Sequence, residues 1–217
     1  MRTLFASTIA ATIAFAGAAS AETAAKAGTD LNMRSGPGVQ YEVSGVIPGG
    51  EDVTVIGCIE SANWCQVKHK DAEGWAYGDY LAAKMGEEFQ PILPHRTELE
   101  ITTVEYQPVQ PTGQDTAVGA GTGAAMGALI AGPLGAVIGA AAGGTVANVT
   151  PPPEVHTYIT EHQVEPVLLD GEVVTGAGIP ETVTLHDIPD QTEKYVVING
   201  QAVLVNPENR QIVYIYR

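Results

Sequence analysis

The most informative segment of the chain reads Leu31-Asn32-Met33-Arg34-Ser35-Gly36-Pro37-Gly38. Its first half reads as a short strand, and it leads into Ser-Gly-Pro-Gly, which is a strong turn signal. Further short runs of strand-forming residues lie downstream, separated by Gly, Pro and polar residues; they begin near Val43, Val53, Trp64, Gly74 and Tyr80. About five short strands with turns at this spacing predict a small β barrel over residues 28–83.

The same segment carries a family resemblance. Together with Tyr41, Trp64-Cys65-Gln66-Val67, Gly74-Trp75 and Tyr80-Leu81, it resembles a bacterial SH3-type (SH3b) domain, with the Asn-x-Arg-Ser-Gly-Pro turn and the Gly-Trp pair at the family's spacing. The resemblance implies a binding module for cell-wall peptidoglycan or a peptide. The candidate ligand-binding residues are four aromatic residues with two polar partners: Tyr41, Trp75, Tyr77 and Tyr80, with Arg34 and Asp79. Trp64 and Trp75 have a second interpretation, as core residues, because aromatic rings supply much of the buried area in a small domain.

Both cysteines of the chain, Cys58 and Cys65, lie in this module on runs that could pair across a hairpin. An exported chain with two cysteines favours a disulfide, worth ~2–3 kcal/mol for such a short closed loop. The alternative is a nucleophilic Cys65 with His69 as its base. That chemistry needs a free thiolate and an oriented base in a cleft, and a barrel of this size has little room for one.

Residues 1–21 have the pattern of an export signal. Met1-Arg2 is followed by an apolar run to about Ala18, and Ala19-Ser20-Ala21 is an A-x-A cleavage site, so the mature chain is predicted to begin at Glu22. Removing these residues takes away one basic residue and no acid, which leaves 25 acids against nine basic residues and a net charge of −16. We expect no nucleic-acid partner, because phosphate contacts need Lys and Arg.

The stretch from Ala117 to Val149 is almost entirely Gly, Ala, Val, Leu and Ile. Small residues recur four apart and would stack on one helix face; the glycines are Gly119, Gly123, Gly127, Gly135, Gly139 and Gly143. This spacing resembles the glycine zippers of bacterial envelope proteins, and Gly132-Pro133 divides the stretch, so residues 117–149 are predicted to form a helical hairpin. Three interpretations stay open: a membrane-inserted or self-associating hairpin, a hairpin packed on protein, and a flexible linker. Residues 84–116 are predicted to be a Pro-rich acidic linker, with one strand within Glu98–Tyr106.

Residues 151–217 are predicted to form a C-terminal β module. Alternation predicts strands over Val155–Val164 and Glu181–Leu185. The clearest signal is Asn199-Gly200 between two β-branched runs, which predicts a type I′ hairpin within a three-stranded meander. Val164–Val167, Ile179–Val183, Leu185–Pro189 and the Tyr195–Tyr216 block resemble a domain of unknown function (DUF1236) of alphaproteobacterial envelope proteins. That resemblance implies no activity, but it implies export to the periplasm or cell envelope of a Gram-negative bacterium.

These observations predict a mainly β fold: a small SH3-like barrel and a C-terminal antiparallel β meander, separated by a Gly/Ala-rich helical hairpin. His156, His162 and His186 have no tight metal-ligand spacing, so we expect no metal, no cofactor and no catalytic residue. The predicted function is a non-catalytic exported envelope protein that binds peptidoglycan or an envelope protein, with membrane association or homo-oligomerisation through the glycine zipper. The alternative is a structural or self-assembling envelope protein whose barrel is a spacer.

Overall fold

The computed structural model describes residues 22–106 and 150–217, and within them the fold is mainly β. Two antiparallel sheets hold the strands, one with eight strands and one with four. One α-helix accompanies them in this part of the chain, Pro153–Glu161 (α1). The prediction of a mainly β protein with two antiparallel modules is confirmed.

The eight-stranded sheet contains the strand and turn of residues 31–38. Its strands are β1 Thr23–Ala27, β2 Leu31–Arg34, β3 Val43–Ile47, β4 Asp52–Cys58, β5 Trp64–His69, β6 Ala72–Tyr77, β7 Leu81–Met85 and β8 Glu88–Pro91. They lie in the order β3-β2-β6-β5-β4-β1-β7-β8. The Ser-Gly-Pro-Gly turn joins β2 to β3, and Arg34 at the end of β2 pairs with Trp75 of β6. This pairing places the motif next to β6, which carries two of the candidate aromatic residues, Trp75 and Tyr77.

The sheet extends beyond residues 28–83 at both ends. Strand β1 pairs with both β4 and β7, and β7 pairs with β8, which lies in the predicted linker. Beyond β8, the Cys58 amide donates to the Thr102 carbonyl and the Val104 amide donates to the Cys58 carbonyl. Residues 88–104 are therefore packed along the sheet rather than extended away from it. The strand expected within Glu98–Tyr106 is reduced to one parallel bridge, Cys58 to Thr103.

The four-stranded sheet contains the predicted meander. Its strands are β9 His186–Asp187, β10 Lys194–Ile198, β11 Gln201–Asn206 and β12 Gln211–Ile215, in the order β12-β11-β10-β9. Ile198 pairs with Gln201, and the two residues between them have φ values of +51° and +81°. Positive φ at both central positions is the type I′ geometry, so the Asn199-Gly200 hairpin is confirmed.

Two predicted strands of the C-terminal module are wrong. Val155–Val164 was predicted to be a strand, but Pro153–Glu161 forms α1. Val155 and Ile159 are four residues apart, so they share a helix face and both are buried. Proline at the first helical position also suits a helix start. Glu181–Leu185 is a loop instead of a strand. The Arg210 guanidinium donates to the Val183 carbonyl within it, and to the carbonyls of Ile179 and Pro180 just before it, so a side chain takes the place of a partner strand.

A shared core joins the two sheets. One cluster of buried apolar side chains includes Leu31 and Leu81 from the first module and Leu169, Val173 and Ile198 from the second. The loop over residues 167–179 supplies much of the second module's share. The two modules are therefore parts of one packed body, a contact that sequence patterns did not predict.

The predicted glycine-zipper hairpin, with its packing glycines, lies outside the described residues, as does the predicted signal segment 1–21. Among residues 22–106 and 150–217, no helix has the length and apolar character needed to cross a membrane.

Candidate functional site

Arg34, the arginine of the turn motif, is buried and holds a carboxylate from the other module. Its Nε and Nη2 donate to the two carboxylate oxygens of Glu172 at 2.5 and 2.7 Å. Its Nη1 donates to the backbone carbonyls of Val39 and Tyr41 at 3.0 and 2.7 Å. Arg34 is 1% exposed and Glu172 is 0% exposed. This is a two-bond ion pair out of contact with water.

Asn32 completes this group, because residues 32 and 34 lie on the same face of β2. Its Nδ2 donates to Glu172 at 3.0 Å and to the Gln201 side chain at 2.8 Å, and its Oδ1 accepts from Arg217. The Val173 amide gives the Glu172 carboxylate a further donor. We call Asn32, Arg34 and Glu172 the junction. Because its charges are paired and hydrogen-bonded, removing one partner would leave a buried charge and cost ~3–5 kcal/mol.

Trp75 and Tyr41 are covered by an aromatic residue from outside the predicted barrel. The Tyr106 ring makes an edge contact with Trp75 at 5.5 Å and with Tyr41 at 6.0 Å between ring centroids. Trp75 is 8% exposed. A hydrogen bond with Tyr106, followed by burial, raises the pKa of the Tyr41 hydroxyl above its usual value of 10.0. This part of the candidate surface is thus occupied by the chain's own segment.

Tyr77 and Asp79 lie together, both half-buried, beside the exposed Asn63. Asn63 Nδ2 donates to Asp79 Oδ2 at 3.1 Å and to the Tyr77 hydroxyl at 3.4 Å. The Tyr77 ring packs edge-on against Trp64, with centroids 5.4 Å apart, and is half-buried. We call Asn63, Tyr77 and Asp79 the Tyr77 edge. Its combination of a ring, an amide and a carboxylate suits hydrogen bonding and stacking with a polar ligand.

Burial is the main cause of the raised pKa of the tyrosine hydroxyls next to this edge. It raises the pKa of Tyr77, opposed by the Asn63 hydrogen bond and assisted by the charges of Asp79 and Asp170. It also raises the pKa of Tyr80, with smaller effects from Tyr77, Asp79 and Glu172. Tyr80 is only 4% exposed, and its ring packs beside that of Tyr77 with the ring centroids 6.1 Å apart.

A disulfide lies behind the Tyr77 edge. Cys58 and Cys65 are bonded, as predicted, and pair directly across β4 and β5. A Cβ added at Gly78, between Tyr77 and Asp79, would meet Cys65 Sγ at 2.9 Å and Leu93 Cδ2 at 2.7 Å. The alternative of a nucleophilic Cys65 is wrong for this structure, because that sulfur is bonded. His69 instead contacts the Glu51 carboxylate at 2.7 Å.

The structure divides the six predicted ligand-binding residues into three groups. Tyr77, Asp79 and Tyr80 lie together, Tyr41 and Trp75 lie under Tyr106, and Arg34 belongs to the junction. The interpretation of Trp64 and Trp75 as core residues is supported, because both are buried. Sequence reasoning missed Asn32, Asn63, Tyr106 and Glu172. The two-residue spacing of Asn32 and Arg34 on one strand was a signal for the first.

The Tyr77 edge offers groups that can stack on a ligand and hydrogen-bond to it. The Cys65–His69 pair considered for nucleophilic catalysis has no free thiol, because Cys65 is bonded to Cys58. Across the two described ranges, no set of three or more His, Cys, Asp or Glu side chains is placed to hold a metal ion. The absence of metal, cofactor and catalysis stays a prediction.

The fold and these residues define a β protein with an SH3-type module joined to a second β module. Comparison with known families gives the two modules their names. Residues 29–82 match the bacterial SH3 domain, and residues 158–217 match a domain of unknown function, DUF1236. The predicted architecture of an SH3-type module followed by a DUF1236 module is therefore confirmed.

One curated relative shares part of the chain. YrvJ of Bacillus subtilis (strain 168), an inferred N-acetylmuramoyl-L-alanine amidase, is 36% identical over 64 residues. The match covers 30% of this chain and 12% of that protein. No solved structure matches the chain significantly.

Proposed function

We propose that this chain is a non-catalytic, exported cell-envelope protein whose SH3 module binds peptidoglycan. The observation that carries the proposal is the Tyr77 edge, where the exposed Asn63 bonds to the half-buried Tyr77 and Asp79 on a bacterial SH3 domain. A tyrosine ring with an amide and a carboxylate at its rim can stack on a sugar or peptide unit while hydrogen-bonding its polar groups.

Two further observations support the location and the ligand class. The Cys58–Cys65 disulfide suits an oxidising compartment, in agreement with the predicted signal at residues 1–21. The partial relative bears the name of an enzyme acting on N-acetylmuramoyl-L-alanine, which is a unit of peptidoglycan. The shared region is too short to carry that activity over, and it favours a shared binding role.

The test is co-sedimentation of the mature chain, residues 22–217, with washed peptidoglycan sacculi under non-reducing conditions. We expect saturable pelleting that falls at least tenfold in apparent affinity in Tyr77→Ala. Tyr214→Ala serves as the matched control, because Tyr214 is a half-buried tyrosine of the other module. Near-ultraviolet circular dichroism of each variant checks that it is folded. Absence of pelleting by the folded wild-type chain would reject peptidoglycan binding through the Tyr77 edge.

A second candidate function is a structural or self-assembling envelope protein in which the SH3 module is a spacer. The observation that favours it is the junction, since the motif residues Asn32 and Arg34 are used to bind the chain's own Glu172. Assembly would then depend on the predicted glycine zipper. Light scattering of wild type and of Gly123→Leu/Gly139→Leu tests this candidate, and an unchanged oligomer size would count against it.

A further inference from the structure

The SH3 module positions its own arginine for an acidic ligand. Nη1 of Arg34 is fixed by the carbonyls of Val39 and Tyr41, which belong to the same module. The remaining edge of the guanidinium, Nε and Nη2, points to the other module. Asn32 adds a third donor through Nδ2. The three donors to Glu172 therefore come from the first module, while the C-terminal module supplies the carboxylate and positions Asn32 through Gln201 and Arg217.

The acceptor comes from a loop that lies far away along the chain. Glu172 is 138 residues from Arg34 in sequence. The segment around Glu172 combines acidic and apolar residues. The charge of Asp170 contributes to the raised pKa of the Tyr77 hydroxyl. Leu169 and Val173 lie in the shared core. The loop thus presents a carboxylate and flanking apolar groups to the SH3 module, as a bound peptide would.

We propose that Arg34 and Asn32 form a carboxylate-binding site, and that Glu172 is its internal occupant. The ligand that would replace Glu172 is a free carboxylate of a peptidoglycan stem peptide, so this inference rests on the proposed function and names its ligand chemistry. The planar guanidinium binds a carboxylate through two parallel bonds. A neutral ligand would leave the buried Arg34 charge unpaired, which is costly. The apolar neighbours of Glu172 lie in the shared core and stabilise its position, so Glu172 occupies the site in this structure.

Competition between Glu172 and the wall ligand is tested first, on the mature chain with sacculi. Glu172→Gln keeps the side-chain size and removes the charge, and we expect at least tenfold tighter pelleting than wild type. Glu181→Gln is the matched control, since it removes one exposed acid of the same module, and it should behave like wild type. The gain should vanish in Arg34→Lys/Glu172→Gln, because the fork is lost. An unchanged affinity in Glu172→Gln, or a gain that persists in the double variant, would overturn the proposal.

The site itself is tested without any wall ligand, using acetate as the probe. Glu172→Ala removes the internal carboxylate, and sodium acetate should raise its melting temperature more than sodium chloride at equal ionic strength. If the variant folds poorly, the refolding yield in the two salts replaces the melting temperature. Arg34→Lys/Glu172→Ala should show no acetate preference. Equal responses to both salts in Glu172→Ala would reject a carboxylate site even if sacculi bind. Acetate rescue without any pelleting would keep the site and reject peptidoglycan as the ligand.

Discussion

The junction and the Tyr77 edge are two parts of one predicted ligand surface, and they differ in what covers them. At the junction, Asn32 and Arg34 are buried against Glu172 of the C-terminal module. At the Tyr77 edge, the ring of Tyr77 is half-buried and its polar neighbours bond to one another. Residues of one predicted ligand surface can therefore be buried by internal contacts in one place and stay partly exposed in another.

Of the substitutions considered, Arg34→Met is expected to lower the stability of the protein most, and it acts at the junction. The variant leaves the Glu172 carboxylate buried without its cation, and we expect a loss of about 3–5 kcal/mol in the free energy of unfolding. Urea denaturation measures it. Lys84→Met, which removes an exposed positive charge from β7, should change stability by less than about 0.5 kcal/mol. A loss in Arg34→Met no larger than the control's would mean that the junction contributes little.

Reduction of the Cys58–Cys65 disulfide should have the next largest effect on stability, and it should act at the Tyr77 edge. We expect a loss of about 2–3 kcal/mol because the denatured chain regains the freedom of the closed loop. Hydrogen exchange should rise first in β5 and β6 near the Tyr77 edge, while the Arg34 side-chain N–H groups stay protected. Simultaneous loss of protection in both places would show that the two regions unfold as one unit. Alkylation of the non-reduced protein should label neither cysteine.

Tyr106→Ala should have a smaller effect, confined to the covered aromatic pair. Loss of the edge contacts with Trp75 and Tyr41 costs about 0.5–1.5 kcal/mol beyond lost burial. Tryptophan fluorescence should shift to longer wavelength as Trp75 meets water. The pKa of Tyr41 should fall towards its usual value, because the hydrogen bond with Tyr106 is the main cause of its raised pKa. An unchanged emission spectrum would contradict the covering role of Tyr106.

Glu51→Gln is expected to have the smallest effect, and it depends on pH. Hydrogen bonds from Lys70, then His69, lower the pKa of Glu51 below 4.5. A carboxyl group whose pKa is lowered on folding stabilises the protein above its unfolded pKa, and that contribution is lost as the pH falls through the folded pKa. The variant should therefore be slightly less stable than wild type at pH 7 and equal to it in strong acid. Unfolding curves at both pH values test this, and a constant difference would contradict it.

Local signals predicted local structure well. The Asn199-Gly200 turn and the disulfide follow from rules that act over a few residues, and both were confirmed. The α1 segment was mistaken for a strand because Val155 and Ile159 satisfy the alternation of a strand as well as the four-residue spacing of a helix face. The junction was missed because its partners are distant in sequence. Besides the spacing of Asn32 and Arg34, a glutamate next to apolar residues, as Glu172 is beside Val173 and Val174, was a sign of the junction.

The distance in sequence between Arg34 and Glu172 sets an order of folding events. Hairpins such as β10–β11 close on a timescale of about 1–10 μs, whereas the junction must bring together residues 138 apart. Loop-closure entropy grows with that separation, so the junction should form among the last contacts. We therefore expect a period in which the SH3 module is folded and its guanidinium fork has not yet met Glu172.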